Sequence, residues 1–155
     1  MAALAADLGV RRTEEERSVS WDVLVMRLDR VAETIDDLPE DYLPLPIGSA
    51  DSVRNALSSA FPGTDWTDPH WGIFEGPDFS LEFNLGTAAT VDSFTVLVRG
   101  TGEPVEPLAQ VCDANGWRGL DVQTNAFLRA GHTDQASWRR FCDWRDKALK
   151  ARTPQ

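Results

Sequence analysis

Cysteine, histidine and tyrosine are scarce in this chain of 155 residues, which has two, two and one of them. Two cysteines, Cys112 and Cys142, cannot build a disulfide framework, and neither stands in a zinc-binding spacing. They read as small apolar residues in a reducing cytoplasm. No apolar run is long enough to span a bilayer. The start, MAALAADLGVRR, makes a poor signal peptide, because Asp7 interrupts it and no basic region precedes it. Positive charge is also short. Fifteen Lys and Arg stand against 25 Asp and Glu, which leaves −10. Phosphate binding needs clustered cations, so this balance argues against nucleic acid and anionic membrane as partners. It suits solubility, and it permits electrostatic steering toward a basic protein. Nucleophile motifs and phosphate loops are missing: there is no G-x-S-x-G, and Gly100-Thr101-Gly102 is too short to cradle phosphate. No cofactor or metal is expected.

What is present is a central stretch, Phe61 to Gly100, with strong strand signals. Phe79, Leu81, Phe83 and Leu85 alternate with Ser80, Glu82 and Asn84, the mark of a strand buried on one face. Gly76-Pro77 turns the chain back from Trp71–Phe74, so a hairpin is expected there. Val91 to Arg99 reads as a third strand of an antiparallel meander, with Phe94, Val96 and Val98 inward. Leu97 breaks its polar face, so part of the second face is expected to be covered. Ser80, Glu82, Asn84, Ser93, Thr95 and Arg99 are expected to point together, with Trp66 and Trp71 at the start of the meander.

Residues 1–18 read as a peripheral extension, 19–132 as the α+β domain and 133–155 as a helix packed on or beside it. Trp21 to Leu28 runs apolar without alternation, which fits a strand covered on both faces. Asp29 to Asp41 carries six acids and one base, with Val31, Ile35 and Leu38 as the expected inner stripe of one or two helical turns. Leu43-Pro44-Leu45-Pro46 then forces an extended path. Ser49 caps a helix to Phe61, with Val53, Ala56, Leu57, Ala60 and Phe61 on its buried stripe. DWTDPH, residues 65–70, reads as a polar loop. A second helix runs from Pro104 to Asn115 on Val105, Leu108, Ala109 and Cys112. Gly116 stops it. Trp117 to Gln123 is a short strand with Leu120 and Val122 on one face, and Asn125 to Leu128 is a helical turn or a strand extension. Thr133 or Asp134 caps the last helix, which Trp138, Phe141, Cys142, Arg145 and Leu149 line. From Asp134 onward there are six bases and three acids, so the rest of the chain carries −13.

The fold expected from these elements is α+β. A mostly antiparallel sheet of about five strands, ordered β-α-β-β-β-α-β, carries two helices on one face, and a C-terminal helix is added. The acidic connection, through Asp36, Asp37, Glu40 and Asp41, is a candidate surface for a protein partner. So is the sheet face with Trp71, Glu82, Asn84, Thr95 and Arg99. Acid–base chemistry would draw on scattered groups: Asp68 and His70, Glu82, and Asp22 or Asp92 as its partner carboxylate. Asp65, Asp68 and His70 match no recognised cation loop. His132 reads as part of a helix start. The basic last helix pairing with an acidic surface would make a homo-oligomer.

Several blocks recur together here: Trp21-Asp22-Val23-Leu24-Val25, Leu45-Pro46-Ile47-Gly48-Ser49, Phe61-Pro62-Gly63, Asp68-Pro69-His70-Trp71-Gly72, Gly76-Pro77-Asp78, Glu82-Phe83-Asn84 and Val98-Arg99-Gly100. With them the chain resembles, from Ser20 to Leu128, a group of small uncharacterised bacterial proteins sharing such blocks in this order. The blocks look like turns and strand cores, and they imply no activity. In size, acidity and layout the chain also looks like the immunity proteins of bacterial toxin systems, a likeness that transfers no residue. Together with the missing catalytic motifs, it implies a non-catalytic, cytoplasmic binding protein.

Overall fold

The computed structural model describes residues 19–131 and 135–152. The expected extension 1–18, His132 and the expected caps Thr133 and Asp134 lie outside them. The elements are β1 (Trp21–Met26), β2 (Gly48–Ser49), α1 (Ala50–Ala60), β3 (Asp65–Asp68), β4 (Trp71–Glu75), β5 (Phe79–Asn84), β6 (Thr90–Val91), β7 (Phe94–Gly100), α2 (Val105–Ala114), β8 (Arg118–Asp121), β9 (Ala126–Phe127) and α3 (Ala136–Arg152). One sheet has seven strands in the order β3-β4-β5-β7-β1-β8-β9, every neighbour antiparallel, and β2 pairs with β6 separately. The α+β class holds, with more strands than the five expected.

The register sorts the strands into two faces, because directly paired residues project to the same side. Phe74, Leu81, Val98 and Trp21 form one row, and Gly72, Phe83, Val96 and Val23 the next. From β4 to β1 this first face is apolar, and it carries α1 and α2. Phe61, just past the end of α1, packs its ring 5.3 Å from Phe74 and 5.8 Å from Phe83. Val53 and Leu57 of α1 and Val105, Leu108, Val111 and Cys112 of α2 join the same core. Ala60, expected inside, is the last residue of α1 and is exposed. Both helices have local reasons to start and stop where they do. The Ser49 hydroxyl accepts the Ser52 N–H at 3.1 Å, and Gly116 takes φ 71° after α2.

The second face carries Ile73, Glu82, Leu97 and Asp22 in one row, and Trp71, Asn84, Thr95, Leu24, Leu120 and Phe127 in the next. A smaller core of Met26, Ala32, Leu120 and Phe127, with Leu24, Leu28, Ile35 and Leu38 against it, covers its β1–β8–β9 end. That explains the unbroken apolar run of β1: Val23 and Val25 serve one core, Leu24 and Met26 the other.

Four local expectations are corrected. Residues 65–68 form an edge strand and not a loop. Trp66 is its one inward residue, lying over Gly72 and stacked 6.1 Å from Phe83, too little to make a periodic signal. The strand expected at Val91–Arg99 is two strands. It breaks at Asp92–Ser93, since Ile47 N–H bonds Val91 O at 2.8 Å and draws β6 toward β2; Ser93 thus leaves the polar row. β8 stops at Asp121, whose carboxylate accepts the Gln123 N–H at 2.9 Å and the Thr124 hydroxyl at 3.1 Å. Val122 therefore turns outward, 42% exposed. The acidic connection has one short 3-10 turn, Ile35–Asp37, and Val31 is not on an inner stripe: it is 90% exposed, and Ala32 is buried instead.

Helix α3 crosses the end of the sheet where β1 begins and β7 finishes. Long side chains hold it there. Trp138 Nε1 donates to Gly102 O at 3.0 Å, Arg145 Nη1 to Gly100 O at 2.6 Å, and Trp21 Nε1 to Ser137 Oγ at 3.3 Å. No helix among the described residues is long and apolar enough to cross a membrane.

Candidate functional site

Arg27 to Leu45 is a long connection, but it is pinned along its length. Leu45 N–H bonds Arg27 O at 2.9 Å. The Tyr42 hydroxyl donates to Asp29 at 2.7 Å, and Arg30 sits 4.8 Å over the Tyr42 ring. The Tyr42 hydroxyl, then Arg30, holds the Asp29 carboxyl below its usual range. Farther on, Phe127 N–H bonds Glu33 O and Ile35 N–H bonds Asn125 O, both at 2.9 Å. Residues 33–35 thus line the outer edge of β9, and Arg118 ties in Ala32 O at 2.8 Å. The Asp37 carboxylate closes the outer side, accepting Glu33 N–H at 2.8 Å and Thr34 N–H at 3.1 Å. These two bonds lower its pKa. With those N–H groups occupied, the edge offers less to a foreign strand. The opposite edge has a similar guard. Asp65 Oδ1 accepts the Thr67 hydroxyl at 2.6 Å and the Thr67 N–H at 2.8 Å, and its pKa is lowered in that order of cause.

On this anchored segment Asp36, Asp37, Glu40 and Asp41 are all exposed. Two apolar residues stand with them in water: Val31, 90% exposed, and Leu43, 83% exposed. Sequence reasoning found the acids and missed the apolar pair. Val31 fitted a helical spacing that the chain does not adopt, and Leu43 was hidden in a proline-rich run. The high acid content of a segment that forms only one 3-10 turn was the available signal.

The polar sheet residues divide into two groups. Glu82 and Arg99 are each only 7% exposed. They do not offer their charges to a partner, because they satisfy each other: Arg99 Nη1 donates to Glu82 Oε2, and Trp71 Nε1 donates to Glu82 Oε1 at 3.1 Å. A pair this buried forfeits hydration of both ions and is retained only with such directed hydrogen bonds. Trp71, Asn84 and Thr95 are half-buried and adjacent across three strands.

The groups considered for acid–base chemistry are not brought together. Asp68 and His70 lie at the β3–β4 turn, where Asp68 accepts the His70 N–H at 2.9 Å. Asp22 bonds the Ser20 hydroxyl at 2.6 Å. It shares a row with Glu82, but β7 stands between them, a separation of about 10 Å at two strand spacings. Asp92 is exposed in the bend before β7. No group of three or more His, Cys, Asp or Glu among the described residues is placed to hold a metal ion. Cys112 is buried, and desolvation pushes its thiol up to about 12, which suppresses the nucleophilic thiolate. Half-buried Cys142 is raised as well, chiefly by desolvation.

No known protein family, curated protein or solved structure matches the chain.

Proposed function

We propose that this chain is a non-catalytic bacterial binding protein whose acidic segment, residues 29–43, docks a basic protein partner. The most concrete form is a cytoplasmic immunity-type inhibitor that blocks a toxin by charge and shape complementarity. The observation that carries this reading is the company of Val31 and Leu43. Two nearly fully exposed aliphatic side chains sit among Asp36, Asp37, Glu40 and Asp41 on a segment fixed to the sheet edge. Apolar anchors within a charged rim are the anatomy of a protein interface, and a pre-fixed segment loses less entropy on binding. Trp71, Asn84 and Thr95 lie in the row that continues through Leu24 and Leu120 to Phe127. That row supports a surface running from the acidic segment across the second face.

The test is calorimetric titration of the protein against the purified products of adjacent reading frames. A basic partner is expected to bind, with affinity falling as salt is raised. Asp36→Lys/Glu40→Lys/Asp41→Lys is expected to weaken it at least about tenfold, and Val31→Asp to do likewise. A complex indifferent to all four substitutions overturns the reading.

A second reading rests on α3. Arg139, Arg140, Lys147 and Lys150 are exposed on it, and they complement the acidic segment of another copy. Light scattering of the chain lacking residues 134–155 tests it, and an unchanged mass removes it.

A further inference from the structure

Trp144 is 58% exposed, yet it is not an isolated surface aromatic. It ends a ladder that begins in the core. Trp21 meets Trp138 edge-on at 5.7 Å, Trp138 stacks on Phe141 at 5.8 Å, and Phe141 meets Trp144 at 6.0 Å. Phe141 and Trp144 wall a cleft of about 510 Å³ between α3 and the end of the sheet. That volume is within the usual range for small-molecule sites.

The opposite wall is polar and fixed. Gln123 and Thr124 belong to the turn that the Asp121 carboxylate holds, and Ser20 is bonded to Asp22. Among the described residues, the cation of the cleft is Arg140. Its neighbour Arg139 pairs with Glu103 at 3.6 Å, whereas Arg140 has no ion pair among the described residues. No carboxylate among the described residues lines the cleft, although the chain has ten more acids than bases. An acidic protein thus holds an aromatic-walled cleft whose guanidinium meets no carboxylate among the described residues.

We propose that this cleft binds a small aromatic carboxylate. The ring packs on Trp144 and Phe141, the carboxylate takes the fork of Arg140, and Gln123 bonds the ring's polar edge. Guanidinium matches carboxylate with two parallel N–H donors, and offset aromatic packing orients the ring. The site shares no residue with the acidic segment, so its failure leaves the protein-partner reading standing, and the reverse holds.

The experiment is calorimetry on the whole chain with indole-3-acetate as the probe. Indole-3-acetamide removes the charge and cyclohexylacetate removes the ring. Arg140→Gln and Trp144→Ala change exposed helix positions, and circular dichroism checks that both fold. Saturable binding of indole-3-acetate is expected. It should weaken about tenfold in Arg140→Gln and for the acetamide, as loss of a charge-assisted pair implies. A loss of about fivefold is expected in Trp144→Ala and for cyclohexylacetate. No saturation up to about 10 mM, a scale weaker than ordinary ligand affinities, overturns the site. So does equal affinity in the parent and both variants. Binding that depends on Trp144 but not on Arg140 overturns the carboxylate assignment.

Discussion

The two faces of the seven-stranded sheet are written by alternate residues of the same strands, and they are built on different principles. The first face is dry from β4 to β1: Leu81, Phe83, Val96 and Val98 lie under α1 and α2, and the first polar side chain in those rows is Asp121, paired with Val23 on β8. The second face mixes a small apolar core at the β1–β8–β9 end with the buried Glu82–Arg99 pair at the other. The first is held by area and close packing, which are non-directional. The second depends on one charge meeting its counterpart in the right geometry. The difference teaches where each kind of substitution will be felt, and it separates the structural polar groups from those free to meet a partner.

The largest effect is expected on the first face. Phe83→Ala removes a ring that Phe61 and Trp66 both touch, and should cost about 3–5 kcal/mol in urea unfolding. A loss under about 1 kcal/mol would show that this face collapses around the cavity. On the second face, Glu82→Ala leaves Arg99 buried without its carboxylate and is expected to cost about 3 kcal/mol. Glu82→Leu/Arg99→Met removes both ions and should recover most of that loss. If the double variant is no better than the single one, the pair is more than a self-contained unit. Gly72→Ala comes next. A Cβ there would stand 2.5 Å from the Trp66 ring, so the indole must move, at about 1–2 kcal/mol by the usual cost of overpacking. Near-ultraviolet circular dichroism should register the shift.

The smallest effect concerns the sheet edges. The folded pKa values of Asp37 and Asp65 are lowered from 3.8. Their contribution is therefore complete above the unfolded carboxylate pKa and disappears as pH falls through the folded values. Stability and strand-edge protection should both decline below about pH 4 for this reason. Asp37→Asn is expected to retain the parent's melting temperature at neutral pH within a few degrees and to flatten its acid limb. An acid limb unchanged in that variant would remove Asp37 from the account.

Much of this fold was legible before the structure. The alternation of residues 79–85, the Gly76-Pro77 hairpin, the Ser49 cap and the apolar stripes of both helices are local signals, and each element formed close to where it was expected. The misses share a cause. β3 has one inward residue, β6 is drawn aside by Ile47, and β8 is ended by the side chain of Asp121. In each case a contact decided the matter against weak or absent periodicity. The candidate surface was half legible: its acids are visible as composition, but the exposure of Val31 and Leu43 depends on where the pinned segment turns.

By itself the sequence determined the class of the protein, the order of its main elements, the apolar side of its strands and the acidity of the segment after β1. Those follow from the pleat, the helical period and chain-local capping. Only the tertiary structure decided that Glu82 faces Arg99 in the interior while Asn84 and Thr95 reach the surface. The same polar side chain can meet water or a counter-ion, and which it meets is set by residues far away in the chain.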